Sequence, residues 1–242
     1  MRKTISPPTS LTVMNSAPSA PAGIREPQVG QWLAANIAGA QAPFTYELIA
    51  GGHSNLTFAV TDGNGNRYVL RRPPLSHALA SAHDMGREHR IISALHNSHV
   101  PVAPALGLCV DTEVNDAPFY VMSFVDGLII RDNETAQRML STEARHNASV
   151  SLVDTMAKIH QVVPAEVGLG ELGRHEGYIE RQLKRWYGQW NASKTRELSA
   201  IDRVHDGLLT RIPEQGPATI VHGDYRLDNC MIDASGNIMA VL

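Results

Sequence analysis

Residues 222–229, here called the polar loop, read His-Gly-Asp-Tyr-Arg-Leu-Asp-Asn and lie between two short apolar runs. Within this loop, Asp224 and Asn229 are five residues apart, and a loop bounded by strands can turn both side chains toward one point. A carboxylate can accept a proton from a hydroxyl group, and an amide oxygen can bind a divalent cation. The alternative is a polar turn that only connects two strands. Other parts of the sequence have to decide between these interpretations.

A second stretch with chemical potential is residues 51–55, Gly-Gly-His-Ser-Asn, which joins two predicted strands. The two glycines let the backbone approach a ligand closely, and Ser54 and Asn55 add hydrogen-bond donors to the exposed amides. Triphosphate oxygens would suit such a loop. An ordinary hairpin loop is the alternative, because the spacing G-x-G-x-x-G is absent.

A third feature is a cation on a strand followed by a carboxylate on a helix. In the predicted strand 67–72, a period of two places Val69 and Arg71 on the same face. In the predicted helix 85–95, Glu88 lies one turn before the apolar residues that mark the buried side of the helix. From this position its carboxylate can reach back to the strand. The alternative is that both residues are ordinary surface charges.

The apolar periodicity predicts a sheet followed by helices. Strands are predicted at residues 46–50, 56–61, 67–72, 105–111 and 119–124, with a helix at 28–38 before them. Beyond residue 127 the period changes from two to 3.6, which predicts helices at 142–161, 178–190 and 197–211. We place a lobe boundary at this change.

Two of these helices have apolar stripes that we interpret as core faces. The stripe of the first helix comprises Val150, Leu152, Val153, Met156 and Ile159. The stripe of the last comprises Leu198, Ile201, Val204, Leu208 and Ile212. We therefore expect both helices to be buried along these stripes.

Composition limits the class of protein. A chain of 242 residues can bury a substantial core, and 21 basic against 24 acidic residues give a net charge of −3. This balance does not indicate a general nucleic-acid binder or a membrane-surface binder. Cys109 and Cys230 are far apart and outside metal-ligand spacing, which favours a reducing compartment, and we expect a cytoplasmic protein.

Residues 1–27 are rich in proline, serine and threonine and contain no apolar run, so we predict a disordered leader. The alternative is an organelle-targeting peptide, because Arg2, Lys3 and Arg25 precede the first acidic residue, Glu26. No segment approaches the roughly 20 consecutive apolar residues that a membrane helix needs.

Taken in order, these features resemble the aminoglycoside phosphotransferase-like family, a branch of the protein-kinase-like fold. They resemble in particular the kinase-like region of acyl-CoA dehydrogenase family members. The stretches that carry the resemblance are residues 51–55, 68–74, 87–88, 121–127 and 222–229. Each stretch alone is weak, but their occurrence in this order makes the assignment specific.

The resemblance implies an α+β, bilobal protein-kinase-like fold that binds ATP and Mg²⁺. Residues 28–125 would form an N-lobe with a five-stranded antiparallel sheet and a helix, and residues 126–242 a partial helical C-lobe. The implied activity is ATP-dependent transfer of the γ-phosphoryl group to a small-molecule hydroxyl.

The resemblance also implies roles for individual residues. Asp224 would be the catalytic base and Asn229 a magnesium ligand, with His222 supporting the loop. Arg71 would stand where kinases have a lysine and would pair with Glu88, and residues 122–125 would form the hinge beside adenine. The implied nucleotide-binding residues are Gly51, Gly52, Ser54, Asn55, Val69, Arg71, Glu88, Ser123 and Val125.

Two departures from the family pattern bear on activity. Arg71 presents a planar fork where a lysine presents a compact ammonium, so nucleotide affinity is expected to differ. Family members continue after an apolar strand into an Asp-Trp-Glu-type segment whose aspartate binds magnesium, whereas the sequence ends at Leu242. We therefore expect a truncated chain with little turnover of its own. The alternative is a catalytically inactive nucleotide-binding or interaction module.

Overall fold

The structure is a computed structural model that describes residues 20–50, 55–75 and 84–242. The chain divides into two compact units. The first comprises Met1–Met85 with Gly107–Val121, and the second comprises Gly86–Leu106 with Met122–Leu242. Most of the predicted leader lies outside the described residues.

The main sheet has five strands in the spatial order β1-β2-β3-β5-β4. The strands are β1 (Thr45–Ala50), β2 (Leu56–Thr61), β3 (Arg67–Arg72), β4 (Ala105–Cys109) and β5 (Phe119–Ser123). β2 pairs antiparallel with both β1 and β3. The predicted α+β class and all five strands are confirmed, and the bounds of three of the strands shift by one or two residues.

The core of the first unit forms between the sheet and helix α1 (Gln28–Asn36). Tyr68 and Leu70 on β3 belong to this core, as the period of two predicts. Trp32 of α1 packs edge-to-face on Phe119 of β5, with ring centroids 4.9 Å apart. The apolar stripe of α1 therefore fixes the helix against the inner face of the sheet.

Arg72 lies on this inner face and is buried. Its Nη1 donates to the carbonyl oxygen of Gly23 at 2.8 Å and to that of Asn115, in the short helix α3 (Thr112–Asn115), at 3.1 Å. Ile24 is also buried in the core. The segment 20–27 therefore packs on the first unit, although we predicted disorder as far as residue 27.

Two hairpin turns share the pattern Asp-x-x-Gly-Asn. One is at residues 62–66 between β2 and β3, and the other is at residues 233–237 between β6 (Cys230–Ile232) and β7 (Ile238–Val241). In each turn, one carboxylate oxygen of the aspartate accepts two backbone N–H groups, and the other accepts the asparagine side chain. The glycine in each turn has a positive φ, 83° at Gly65 and 91° at Gly236. The same local sequence therefore builds the same turn twice.

The remaining helices are α2 (Met85–Leu95), α4 (Asn133–Met139), α5 (Thr142–Gln161), α6 (Tyr178–Ser193) and α7 (Ser199–Leu209). A two-stranded antiparallel sheet follows, with β6 (Cys230–Ile232) and β7 (Ile238–Val241). Helix α4 was not predicted because it is polar. Its start signal is Asp132, whose side chain accepts the N–H of Thr135 at 2.7 Å. No helix in the described ranges is long and apolar enough to span a membrane.

The predicted core face of α5 is only partly confirmed, because Ile159 is buried and Leu152 packs against the core as predicted but the other three residues do not. The buried residues are Ala144, Ala148, Thr155 and Ile159, whereas Val150, Val153 and Met156 are exposed. The reason is a close approach: a Cβ added to Gly236 would lie 2.1 Å from the carbonyl oxygen of Ala144 and 2.8 Å from the nitrogen of Ala148. Only small side chains allow the β6–β7 turn to contact the helix, so size determines the buried face.

The predicted core face of α7 is wrong. In the described part of the chain, neither α6 nor α7 has a buried residue, and Val204 is 60% exposed. The two helices contact each other through the hydroxyl of Tyr187, which donates to Asp202 at 2.8 Å. The ring of Tyr187 also stacks on His205 at 3.8 Å between centroids. Their apolar stripes remain largely at the surface.

Candidate active site

The polar loop turns sharply at its start and is regular at its end. Gly223 has a φ of 89°, in the left-handed region that favours glycine, so the chain changes direction just before Asp224. Leu227–Asn229 form one turn of 3-10 helix that leads directly into β6. The loop therefore has a defined backbone on both sides of the candidate base.

Side chains of the polar loop alternate between interior and solvent. Tyr225 and Leu227 pack against a buried cluster that includes Cys230. Asp224 and Arg226 are 70% and 62% exposed. The backbone at Arg226 is extended, with φ −159° and ψ 166°, and successive side chains of an extended chain face opposite sides. This alternation places the two charged side chains on the same outer face.

Asp224 and Asn229 are in direct contact. The amide nitrogen of Asn229 donates to the carbonyl oxygen of Asp224 at 2.8 Å and to its carboxylate oxygen Oδ2 at 3.0 Å. The spacing of five residues thus brings together the two side chains that the sequence singled out. With both hydrogen bonds made by nitrogen, the amide oxygen Oδ1 of Asn229 is the atom left for a cation.

His222 connects the polar loop to the chain beyond β7. Its Nδ1 accepts the backbone N–H of Asp224 at 3.2 Å, and its Nε2 contacts the carbonyl oxygen of Leu242 at 3.0 Å. A ring nitrogen that accepts an N–H carries no proton, so Nε2 is the protonated nitrogen and donates to Leu242. The N–H of Leu242 donates in turn to the carbonyl oxygen of Asn229 at 2.9 Å. Leu242 therefore holds both ends of the polar loop, His222 and Asn229.

Arg226 lies between two carboxylates. Its Nη2 donates to Oδ2 of Asp228, and its Nε lies 3.8 Å from Oδ1 of Asp224. Sequence reasoning assigned no role to Arg226 or Asp228. The signal that was available is the spacing of two residues between Asp224 and Arg226, which places both side chains on one side of an extended segment.

The inner side of the loop carries neutral groups. The hydroxyl of Tyr225 donates to the carbonyl oxygen of Leu152 at 2.9 Å, and burial raises the pKa of Tyr225. Burial also raises the pKa of Cys230 to about 11, so this free cysteine remains a thiol at neutral pH. Charge in this region is therefore confined to the outer face.

The predicted nucleotide-binding residues are distributed over both units. Gly51, Gly52 and Ser54 lie outside the described residues, and Asn55 is buried. On β3, Val69 pairs with Ala59 and Arg71 with Thr57 of β2. Glu88 lies in the first turn of α2, and Ser123 ends β5, two residues before Val125. Their roles at a nucleotide stay predictions.

One hydrogen bond limits which residue of the predicted hinge can offer a backbone N–H group to adenine. The backbone N–H of Ser123 donates to the carbonyl oxygen of Pro104 at 2.9 Å. This donor is therefore occupied within the protein and is not available to a ligand. Of the two hinge residues that we singled out, Val125 is the better candidate to offer an N–H group.

A magnesium ion would find oxygen ligands on the polar loop. Across the described residues, no three His, Cys, Asp or Glu side chains form a group that could hold a metal ion. The candidate donor set is instead the amide oxygen of Asn229 beside the carboxylate of Asp224. Mg²⁺ prefers oxygen ligands and commonly takes one or two from the protein and the rest from phosphates and water. The residues present fit such a partial site.

Comparison with known proteins identifies the family. The model of the phosphotransferase enzyme family (APH) matches residues 45–242, most of the chain. The chain belongs to this family. Among curated relatives, mouse acyl-CoA dehydrogenase family member 10 is 34% identical over 192 residues, 79% of this chain and 18% of that protein. Human acyl-CoA dehydrogenase family member 11 is 32% identical over 205 residues, 84% of this chain and 26% of that protein.

Solved structures agree with this assignment. A Ralstonia eutropha JMP134 protein classed with the aminoglycoside phosphotransferases superposes with a TM-score of 0.76 at 33% identity. The match covers 89% of this chain and 63% of that protein. Macrolide 2'-phosphotransferase type I (TM-score 0.55, 17% identity) and an amicoumacin kinase in complex with AMP-PNP and Ca²⁺ (0.53, 16%) share the fold. The kinase-like fold and the family predicted from sequence are therefore confirmed, and the chain spans only part of these relatives.

Proposed function

We propose that this phosphotransferase-family chain transfers the γ-phosphoryl group of ATP to a hydroxyl group of a small molecule. The observation that carries the proposal is the direct contact between Asp224 and Asn229 on an exposed face of the polar loop. The family match and a solved neighbour complexed with AMP-PNP support the choice of nucleotide.

In the proposed reaction, the acceptor oxygen forms a bond to the γ-phosphorus while the bond from that phosphorus to the β–γ bridging oxygen breaks. The acceptor proton passes to the carboxylate of Asp224, and the products are ADP and a phosphate monoester. Asp224 can take this role because it is 70% exposed and its orientation is fixed through Asn229. The chain's main contribution is to position the reactants.

We propose that residues 51–55 cover the phosphates, that Arg71 and Glu88 act as the charged pair, and that Val125 offers a backbone group to adenine. Asn229 would hold Mg²⁺ through Oδ1. When bound, the cation would neutralise negative charge on the phosphates. A reducing compartment, the cytoplasm, suits the free thiols of the two buried cysteines.

The test is ATP turnover by the protein, measured as ADP release with a panel of small hydroxyl compounds. Asp224→Asn should lower turnover by about 10²- to 10⁴-fold and leave ATP binding nearly unchanged. The matched control is Asp154→Asn, which removes an exposed carboxylate from α5. Equal losses in the two variants would refute the role of Asp224.

The alternative function is a nucleotide-binding module without turnover. The observation that favours it is Arg71, because its planar guanidinium is not equivalent to the compact ammonium of the lysine that the family has at this position. This alternative predicts that the protein binds ATP with no ADP release above the Asp224→Asn background. Calorimetric titration with ATP alongside the turnover assay separates the two functions.

A further inference from the structure

We propose that Arg72 is a positioning residue for nucleotide binding, because it fastens residues 20–27 to the strand ends beside the proposed phosphate contacts. The inference deepens the proposed function and rests on it. Neither Arg72 nor residues 20–27 have a role in the reaction as described above. The observation behind the proposal is that this segment contacts β2 where it begins and β3 where it ends.

Arg72 joins three separate parts of the backbone. Its Nη1 donates to the carbonyl oxygens of Gly23 and Asn115, at 2.8 and 3.1 Å, and its Nε donates to that of Pro73 at 3.1 Å. The residue is 5% exposed, and a buried polar group is costly unless its hydrogen bonds are made. A guanidinium presents several donors in one plane, so a single side chain can serve all three carbonyl groups. Residues 20–27 are therefore bonded both to the end of β3 and to α3.

A second set of hydrogen bonds holds the same segment on α3. The backbone N–H of Arg25 donates to Oδ1 of Asn115 at 2.9 Å, and Nη1 of Arg25 donates to Oδ1 of Asp116 at 2.9 Å. Asn115 is fully buried and thus accepts from Arg25 through its side chain and from Arg72 through its backbone. Ile24 belongs to the core. The segment therefore has a defined position, although it precedes the first helix and strand of the described chain.

Gly23 packs against both strands at one end of the β2–β3 hairpin. Leu56, the first residue of β2, pairs with Arg72, the last residue of β3. A Cβ added to Gly23 would lie 3.1 Å from Cδ1 of Leu56 and 3.6 Å from Cδ of Arg72. The φ of Gly23 is 99°, a left-handed value that favours glycine. A glycine at this position therefore allows the segment to approach the two strand ends closely.

The same end of the hairpin carries the groups proposed to bind phosphate. Residues 51–55 lead directly into β2, and Arg71 immediately precedes Arg72. Because successive residues of a strand face opposite sides, Arg71 lies on the other face of β3 from Arg72. Pro73 has no N–H group, so strand pairing cannot continue past Arg72, and the hydrogen bonds of Arg72 hold the strand end instead. The position of Arg71 thus depends on this anchor.

The first test changes the segment and leaves both arginines in place. Gly23→Ala strains a positive φ and forces a Cβ against Leu56. The matched control is Gly65→Ala, which strains a positive φ in the turn at the other end of the same hairpin, where a Cβ would meet nothing within 4 Å. AMP-PNP with Mg²⁺ is titrated calorimetrically into each protein, and thermal melts are recorded alongside.

Both glycine variants should melt earlier than wild type. Only Gly23→Ala should bind AMP-PNP more weakly, by about tenfold, because only this substitution disturbs the end of the hairpin that carries the proposed phosphate contacts. Equal affinities in wild type and Gly23→Ala would overturn the proposal. Equal losses of affinity in Gly23→Ala and Gly65→Ala would also overturn it, since the effect would then follow stability alone.

The second test changes the anchor itself. Arg72→Met removes its charge and donors, whereas Arg72→Lys keeps the charge without the planar set of donors. Both should raise the KM for ATP by about tenfold and leave kcat nearly unchanged, the pattern expected when ground-state binding is lost. A lower kcat with an unchanged KM would mean that less protein is folded, and the role of Arg72 would be structural only. If neither variant melts cooperatively, the two glycine variants decide.

Failure of the proposed function gives a different result. If wild type binds no AMP-PNP, the proposed function and the role of Arg72 are both refuted. If wild type binds AMP-PNP but releases no ADP from ATP, only phosphoryl transfer is refuted, and the glycine variants still decide on Arg72. If wild type releases ADP and Gly23→Ala binds AMP-PNP as tightly as wild type, only the role of Arg72 is wrong.

Discussion

The amide nitrogen of Asn229 donates to both the carbonyl oxygen and the carboxylate of Asp224, at 2.8 and 3.0 Å. The proposed metal ligand and the proposed base are thereby held as one unit. Asn229→Asp cannot donate either hydrogen bond, and it places a second negative charge beside Asp224. We expect ATP turnover to fall by at least about 10²-fold. Steady-state ADP release measures this, and Asn191→Asp, an exposed asparagine of α6, is the control. Retention of wild-type turnover would show that the contact is not needed.

The bonds of His222 predict its tautomer. Because Nδ1 accepts the N–H of Asp224, the proton should reside on Nε2, where it is donated to Leu242. Two-dimensional ¹H–¹⁵N spectra of the imidazole at pH 8 report which nitrogen is protonated. His222→Ala should lower the free energy of unfolding by about 1–2 kcal/mol, the loss of two hydrogen bonds. A proton found on Nδ1 would be incompatible with the described loop.

The two Asp-x-x-Gly-Asn turns offer a matched comparison of glycine substitutions. A Cβ on Gly65 would meet nothing within 4 Å, so Gly65→Ala adds only the strain of a positive φ, about 1–2 kcal/mol. A Cβ on Gly236 would lie 2.1 Å from the carbonyl oxygen of Ala144, so Gly236→Ala should cost at least about 3 kcal/mol. Urea denaturation measures both. Equal losses would mean that the turn at Gly236 does not pack on α5 as described.

Asp233 should make stability depend on pH. Hydrogen bonds from the side chain and then the backbone of Asn237, together with those of Ser235 and Gly236, lower the pKa of this carboxyl. A pKa that is lower in the folded state stabilises the protein above the unfolded value, about 3.9, and this contribution disappears as pH falls through the folded value. Compared with Asp233→Asn, wild type should therefore be more stable at pH 6 and lose this advantage in acid. Thermal melts between pH 2.5 and 6 measure the difference. A constant gap over this range would exclude the predicted linkage.

The strands and the adjacency of Asp224 and Asn229 could be predicted because both follow from local rules. Alternating apolar residues define the strands, and turn residues fix where they end. The distance between Asp224 and Asn229 follows from a short loop between elements. The orientation of Arg226 could not be predicted in the same way, since it depends on the packing of Tyr225 and Leu227 against residues distant in sequence.

The buried faces of helices were predicted poorly for a physical reason. A stripe of large apolar residues indicated the core face of α5, but Ala144 and Ala148 are buried in place of Val150 and Val153. Close contact with the turn at Gly236 selects small side chains, and a hydrophobicity pattern carries no information about the partner's shape. On α7, periodicity indicated a face that other elements of the described chain do not bury.

Within the second unit, β7 and the residue after it connect Pro101 to the polar loop through hydrogen bonds. The N–H of Val241 donates to the carbonyl oxygen of Pro101, and the next residue, Leu242, bonds through its two backbone groups to Asn229 and His222. A shift of this strand along its axis would thus displace the proposed metal ligand and the support of the proposed base in the same direction. Substitutions in the β6–β7 hairpin should therefore alter turnover and cation dependence together, even where they touch neither residue.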